Sequence, residues 1–149
     1  LTQDGHELTP TLCQSGNSTG GPNSPIGQLG WTDSYEYNPQ NGYSGSGSVE
    51  LVVDQNTWSL TNPDGYGKLG VSIKQGNGFA FFELDLNKAL SGMWATGNDP
   101  YPTGTGLSHM NAWYMGDPVN QIPVPASLPL LLGALGIGGF LARRKPAKT

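Results

Sequence analysis

The residues able to do chemistry in this chain are few and scattered. Its two histidines, His6 and His109, stand far apart, and the single cysteine, Cys13, can form neither an intrachain disulfide nor a cysteine-based zinc cluster. No Gly-x-Ser-x-Gly, no His-Glu-x-x-His and no phosphate-cradling glycine loop occurs. Hydrolysis by two carboxylates has candidates in Glu36, Glu50, Glu83 and Asp85, but Glu83 and Asp85 alternate along a strand-like segment as a solvated face would. Oxygen ligands for Ca²⁺ are available from Asp33, Glu36, Asp64 and Asp99 with nearby loop carbonyls, although no contiguous motif joins them. Trp31, Trp58, Trp94 and Trp113 could stack on sugar rings, against the tendency of aromatic residues in so small a domain to be core. Met110 and Met115 read as core filler. No catalytic set emerges, so the expectation is a protein that is not an enzyme.

The elements that must position these residues follow from composition. Of 149 residues, 23 are Gly and 12 are Pro, and only 12% are charged. Such a chain is poor in helix formers and rich in turn formers. Four Trp, six Tyr and four Phe provide apolar area for a core. Strand periodicity runs from 48 to 116. Val49, Leu51 and Val53 share one face of a first strand, and residues 56–60 follow as a second. Asn62-Pro63-Asp64-Gly65 reads as a turn. Leu69, Val71 and Ile73 align on a third strand, which a hairpin at 75–78 joins to a Phe-rich strand at 79–86. That strand, the most apolar, is expected at the centre of its sheet, with Ala80, Phe82, Leu84 and Leu86 on one face. A last strand, 107–115, carries His109, Trp113 and Tyr114. The fold class expected is mainly β: an antiparallel β-sandwich, jelly-roll-like, over residues 1–117.

Before it, residues 14–30 are dense in Gly, Ser, Asn and Pro and read as a loop or linker, whereas Trp31 to Tyr37 reads as a strand. The segment 1–12 could pair with a neighbouring subunit by strand addition.

Charge and hydropathy change abruptly near the end. Residues 1–125 hold three lysines against eleven acids, a net −8, whereas Arg143, Arg144, Lys145 and Lys148 give the remainder +4. An acidic body of this kind does not favour nucleic acid. Residues 126–142 contain no charged side chain; as a helix they would span about 26 Å, close to a bilayer core of roughly 30 Å. The basic run after them is expected to stay in the cytoplasm, leaving residues 1–125 outside. Gly133, Gly136, Gly138 and Gly139 form a small-residue face on which another helix could pack. The start at Leu1 rather than Met is what a cleaved signal peptide would leave.

The run Pro123-Val124-Pro125-Ala126-Ser127-Leu128, the Leu/Gly-rich span and the basic stop Arg143-Arg144-Lys145 together resemble the PEP-CTERM sorting signal of Gram-negative bacteria. Val124 stands where that family has Glu. The Phe-rich strand at 79–86, Ser91-Gly92-Met93-Trp94 and Leu107-Ser108-His109-Met110 resemble, more loosely, an extracellular domain carried by such proteins. The resemblance implies processing by a membrane protease of the exosortase type, an inner-membrane intermediate and a destination at the cell surface or in the extracellular matrix. It further implies association with exopolysaccharide in a biofilm, and self-assembly into a homopolymeric filament is one form this could take. A matrix lectin and a polysaccharide hydrolase are the competing expectations. No cofactor is expected beyond possible Ca²⁺.

Overall fold

The structure, a computed structural model, describes residues 1–15, 20–95 and 106–119. Among these residues eleven strands run in chain order: β1 (Thr2–Gln3), β2 (His6–Glu7), β3 (Leu12–Ser15), β4 (Thr32–Asn38), β5 (Gly42–Gly45), β6 (Glu50–Asp54), β7 (Thr57–Thr61), β8 (Tyr66–Gln75), β9 (Gly78–Glu83), β10 (Ser91–Met93) and β11 (His109–Pro118). Helix is confined, among the described residues, to one 3₁₀ turn at Gly27–Leu29. The strands form a six-stranded sheet in the order β3-β9-β8-β11-β4-β5, a three-stranded sheet β10-β7-β6, and the β1-β2 hairpin. Every pairing is antiparallel.

The two larger sheets pack face to face because each offers an alternating apolar row. Val49, Leu51 and Val53, with Trp58 and Leu60, come from the small sheet, and Leu69, Val71, Ile73, Phe82, Met110 and Ala112 from the large one. All are buried, as the period of two dictates. The turns between strands form as their residues require. Asn62 accepts from the Tyr66 N–H through Oδ1 (2.9 Å) and donates to its carbonyl through Nδ2 (3.0 Å). Gly76, at φ 53°, opens the two-residue β8–β9 hairpin loop.

Three expectations need correcting. The Phe-rich strand is not central: β9 ends at Glu83 and lies second from the edge, with β3 outside it, while β8 and β11 hold the middle. Leu86, past the strand's end, is exposed and leaves the inner row at Leu84. The glycine- and proline-rich stretch is also more than a linker. Residues 16–19 lie outside the described residues, but 20–31 fold across the outer face of the large sheet. There Ile26 and Trp31 bury Phe79, Phe81 and Trp113, with Leu12 and Met115 alongside. The Trp31 and Phe81 rings meet edge to face, 4.9 Å between centroids. The large sheet is thus apolar on both faces.

The sheets are also stitched at one side by hydroxyls. The β4–β11 register shifts between Ala112 and Trp113, leaving Ser34 over in β4. Ser34 Oγ turns to β6, donating to the Val49 carbonyl (2.8 Å) and accepting from its N–H (3.1 Å). Tyr43 Oη does the same for Val53, at 2.9 and 2.8 Å. Side chains thereby satisfy backbone groups on the open edge of β6. Gly47 is needed here, since a Cβ at that position would collide with Ser34 Oγ.

Candidate functional site

The described residues concentrate polar side chains in one place, the outer face of β4 and β11. The register shift that releases Ser34 also aligns Asp33 with Trp113, while Glu36 pairs with Asn111. Two carboxylates three residues apart therefore reach the same neighbour. Asn111 is fully buried and its Nδ2 donates to Asp33 Oδ1 and Glu36 Oε2, 3.2 Å each. Gly20 and Gly21 close over the cluster, and a Cβ on Gly20 would lie 2.9 Å from Asp33 Oδ2. Burial pushes the Asp33 carboxyl above its ordinary value, and the nearby Glu36 charge adds to the rise. Hydrogen bonds from Asn111 and from the Gly21 and Ser34 N–H groups oppose it.

His109 extends the row. Asn38 Oδ1 accepts from the Gln40 N–H (2.8 Å), which fixes the amide so that Nδ2 faces His109 Nε2 at 3.0 Å. In the neutral ring Nε2 is then the acceptor, and the proton sits on Nδ1. Glu36 Oε1, 3.6 Å from the same Nε2, gains an ion pair only when the imidazole is protonated. A cleft lined by Asn38, Gln40, Gly106, Leu107, Ser108 and His109 opens beside them. The arrangement can bind protons and hold the 20–31 segment to the sheet.

The other carboxylates stand apart. Glu50 is exposed on the small sheet, and Glu83 and Asp85 are exposed where β9 ends. Asp85 Oδ1 accepts from the N–H and Nδ2 of Asn87, both at 3.0 Å, and these bonds hold its carboxyl below the ordinary range. Of the Ca²⁺ candidates, Asp33 sits in the cluster, while Asp64 occupies the β7–β8 turn near Tyr114. Asp99 lies outside the described residues. Among those residues no three His, Cys, Asp or Glu side chains gather where a metal could be held.

The tryptophans offered for sugar stacking are core residues. Trp31 belongs to the outer-face cluster, and Trp58 and Trp94 to the core between the sheets, each at most 5% exposed. Trp113, wholly buried, donates from Nε1 to Ser72 Oγ at 2.8 Å. None presents a ring face to solvent, because a domain of this size needs its large aromatics inside. Met110 is buried and Met115 packs on the outer cluster, as core filler should. The sorting motif Pro123, Val124, Pro125, Ala126 and Ser127, the helix expected over 126–142 and the basic stop Arg143, Arg144 and Lys145 lie outside the described residues.

Sequence reasoning missed Asn111. Its signal was available: an amide flanked by Met110 and Ala112 in an apolar strand, on the same side as His109 and Trp113, is a polar group that burial obliges to find partners. Comparison with protein-family models, curated proteins and solved structures finds no match.

Proposed function

We propose that the chain is a non-enzymatic structural protein of the cell surface or extracellular matrix, exported and routed by its 123–145 segment. The observation that carries this reading is the use to which chemistry-capable side chains are put. Asn111 donates to both Asp33 and Glu36 beside Gly20 and Gly21, the tryptophans fill cores, and hydroxyls of Ser34 and Tyr43 seal a strand edge. Groups bound up in architecture suit a durable module better than a turnover site. In this reading the two packed sheets are a jelly-roll-like sandwich. The tail, resembling a PEP-CTERM signal, is handled by an exosortase-type protease at the inner membrane, and the body associates with exopolysaccharide.

Fractionation of cells producing the full chain tests the route. The protein is expected in the envelope or the surrounding matrix, and a wholly cytoplasmic pool would refute the proposal. Intact mass then reports the tail's fate: a product ending near Pro125 is the expected outcome of processing. The lectin reading loses support from the burial of all four tryptophans. Of the carboxylates that the hydrolase reading would use, Glu36 accepts from Asn111 on the large sheet, Glu50 stands exposed on the small sheet, and Glu83 and Asp85 are exposed where β9 ends.

A further inference from the structure

Residues 1–8 form an arm whose body-side contacts all lie far along the chain. Its tip is a tight hairpin with Asp4 and Gly5 at φ 50° and 76°, the geometry of a two-residue turn with both central residues left-handed. The arm crosses β10 at the margin of the small sheet. The Trp58 indole N–H donates to the Thr2 carbonyl (3.0 Å), Thr2 Oγ1 accepts from the Met93 N–H (2.9 Å), and the Asp4 N–H donates to the Ser91 carbonyl (2.9 Å). Gln3, fully buried, acts as a plug: Nε2 donates to the carbonyls of Asp85 (2.8 Å) and Ala89 (3.2 Å), and Oε1 accepts from the Asp85 N–H (3.0 Å). The seat is cut to fit, because a Cβ on Gly92 would collide with the Thr2 carbonyl.

Between arm and body run Thr9 and Pro10, both exposed. Proline holds this connection extended, and the next anchoring bond to the sheet comes at Thr11, whose N–H donates to the Phe81 carbonyl (2.8 Å). A segment docked through bonds to distant backbone, on an exposed two-residue tether, is the arrangement from which identical copies exchange elements. The seat recognises chiefly main-chain groups plus one glutamine, so the same arm from a neighbouring molecule satisfies it equally.

We infer that the seat between Gly92 and the 85–89 turn receives the arm of a second copy of this chain, linking subunits by arm exchange. This deepens the matrix-protein reading and rests on it for its setting, but the exchange is a property of purified chains. It therefore stands or falls independently of where the protein is found.

The test uses full-length chains bearing two different affinity tags, mixed at high concentration after a brief destabilising pulse. Co-purification of the second tag with the first is expected, and Gly92→Ala or Gln3→Ala in both chains should reduce it at least several-fold. In parallel, deletion of Thr9 and Pro10 removes up to about 7 Å of reach and keeps the arm from folding back. That chain should shift from monomer to dimer or larger species by light scattering, and adding Gly92→Ala should return it to monomer. Gln3→Ala serves as the second disruptor if Gly92→Ala fails to fold. Exchange is ruled out if the tags never co-purify, if co-purification is indifferent to both substitutions, or if the deletion chain remains monomeric.

Discussion

The two faces of the six-stranded sheet reach the same degree of burial by different means. The inner face is covered by another sheet, row against row, with Leu69, Val71 and Ile73 meeting Val49, Leu51 and Val53 in one cluster. The outer face is covered by a segment with no regular structure beyond one 3₁₀ turn, which lays Ile26 and Trp31 over Phe79, Phe81 and Trp113. The inner face is held mainly by area, with the Ser34 and Tyr43 hydroxyls bonding to the small sheet at one side. On the outer face an apolar cluster adjoins a polar one, and Asn111 with Asp33 ties down the segment that covers both. A sheet can thus have two cores while only one has the repeat that announces it.

The largest effect expected comes from cutting the aromatic part of the outer face. Phe81→Ala should cost about 3–5 kcal/mol, as much as Phe82→Ala on the inner face, by chemical denaturation. A cost below about 1 kcal/mol would mean that the 20–31 cover is loose and that the two faces are not equivalent. Next comes Asn111→Ala, which strips a donor from two carboxylates beneath the cover. The expected loss is about 1–3 kcal/mol, with faster amide exchange in residues 20–31 and little change in β6 and β7. Uniform exchange across both sheets would erase the distinction. Tyr43→Phe, which removes the hydroxyl serving both Val53 groups, should cost about 0.5–1.5 kcal/mol, since water can reach that edge in part.

The smallest and most specific effect is one of pH. Because the Asp33 carboxyl is raised in the folded state, its contribution is fully present below the ordinary carboxyl value near 3.8 and is lost as pH rises through the raised folded value. Asp33→Asn removes that dependence. Comparing thermal midpoints of the two proteins across that interval should show the wild type losing stability relative to the variant as pH rises. The opposite slope would mean that the hydrogen bonds from Asn111 and Gly21 outweigh burial.

This contrast also explains what the sequence disclosed. The inner rows were legible because alternation along β6, β8 and β9 maps directly onto one buried face. The strand order was not: that β3, a four-residue strand from the far end of the chain, would take the edge beside β9 depends on pairing, which composition does not encode. The segment 20–31 was read through its Gly, Ser and Pro content, which is right about its irregular backbone and silent about where Ile26 is placed. Phe79 and Phe81 held the missed clue, because two phenylalanines on a face supposed to meet solvent require a cover. Asp33 and Glu36 were singled out as oxygen ligands, but the register shift that brings them to Asn111 has no signature in β4 itself. Asp64 and the tryptophans were judged by type alone, and their positions in a turn and in two cores follow from tertiary packing.

The leftover residue in β4 has a consequence for how this chain tolerates insertions and deletions. Ser34 is the extra residue that β4 sets against a single step of β11, so the pairs on either side of it, Tyr35 with Ala112 and Asp33 with Trp113, are consecutive along β11. Deleting it would restore regular pairing with Asp33 still opposite Trp113 on the outer face, and would remove the hydroxyl that serves both backbone groups of Val49. A one-residue deletion is therefore absorbed at this bulge with both faces in phase, whereas the same deletion between Leu69 and Lys74 of β8, which pairs on both sides without a spare residue, would turn the side chains on one side of it to the opposite face.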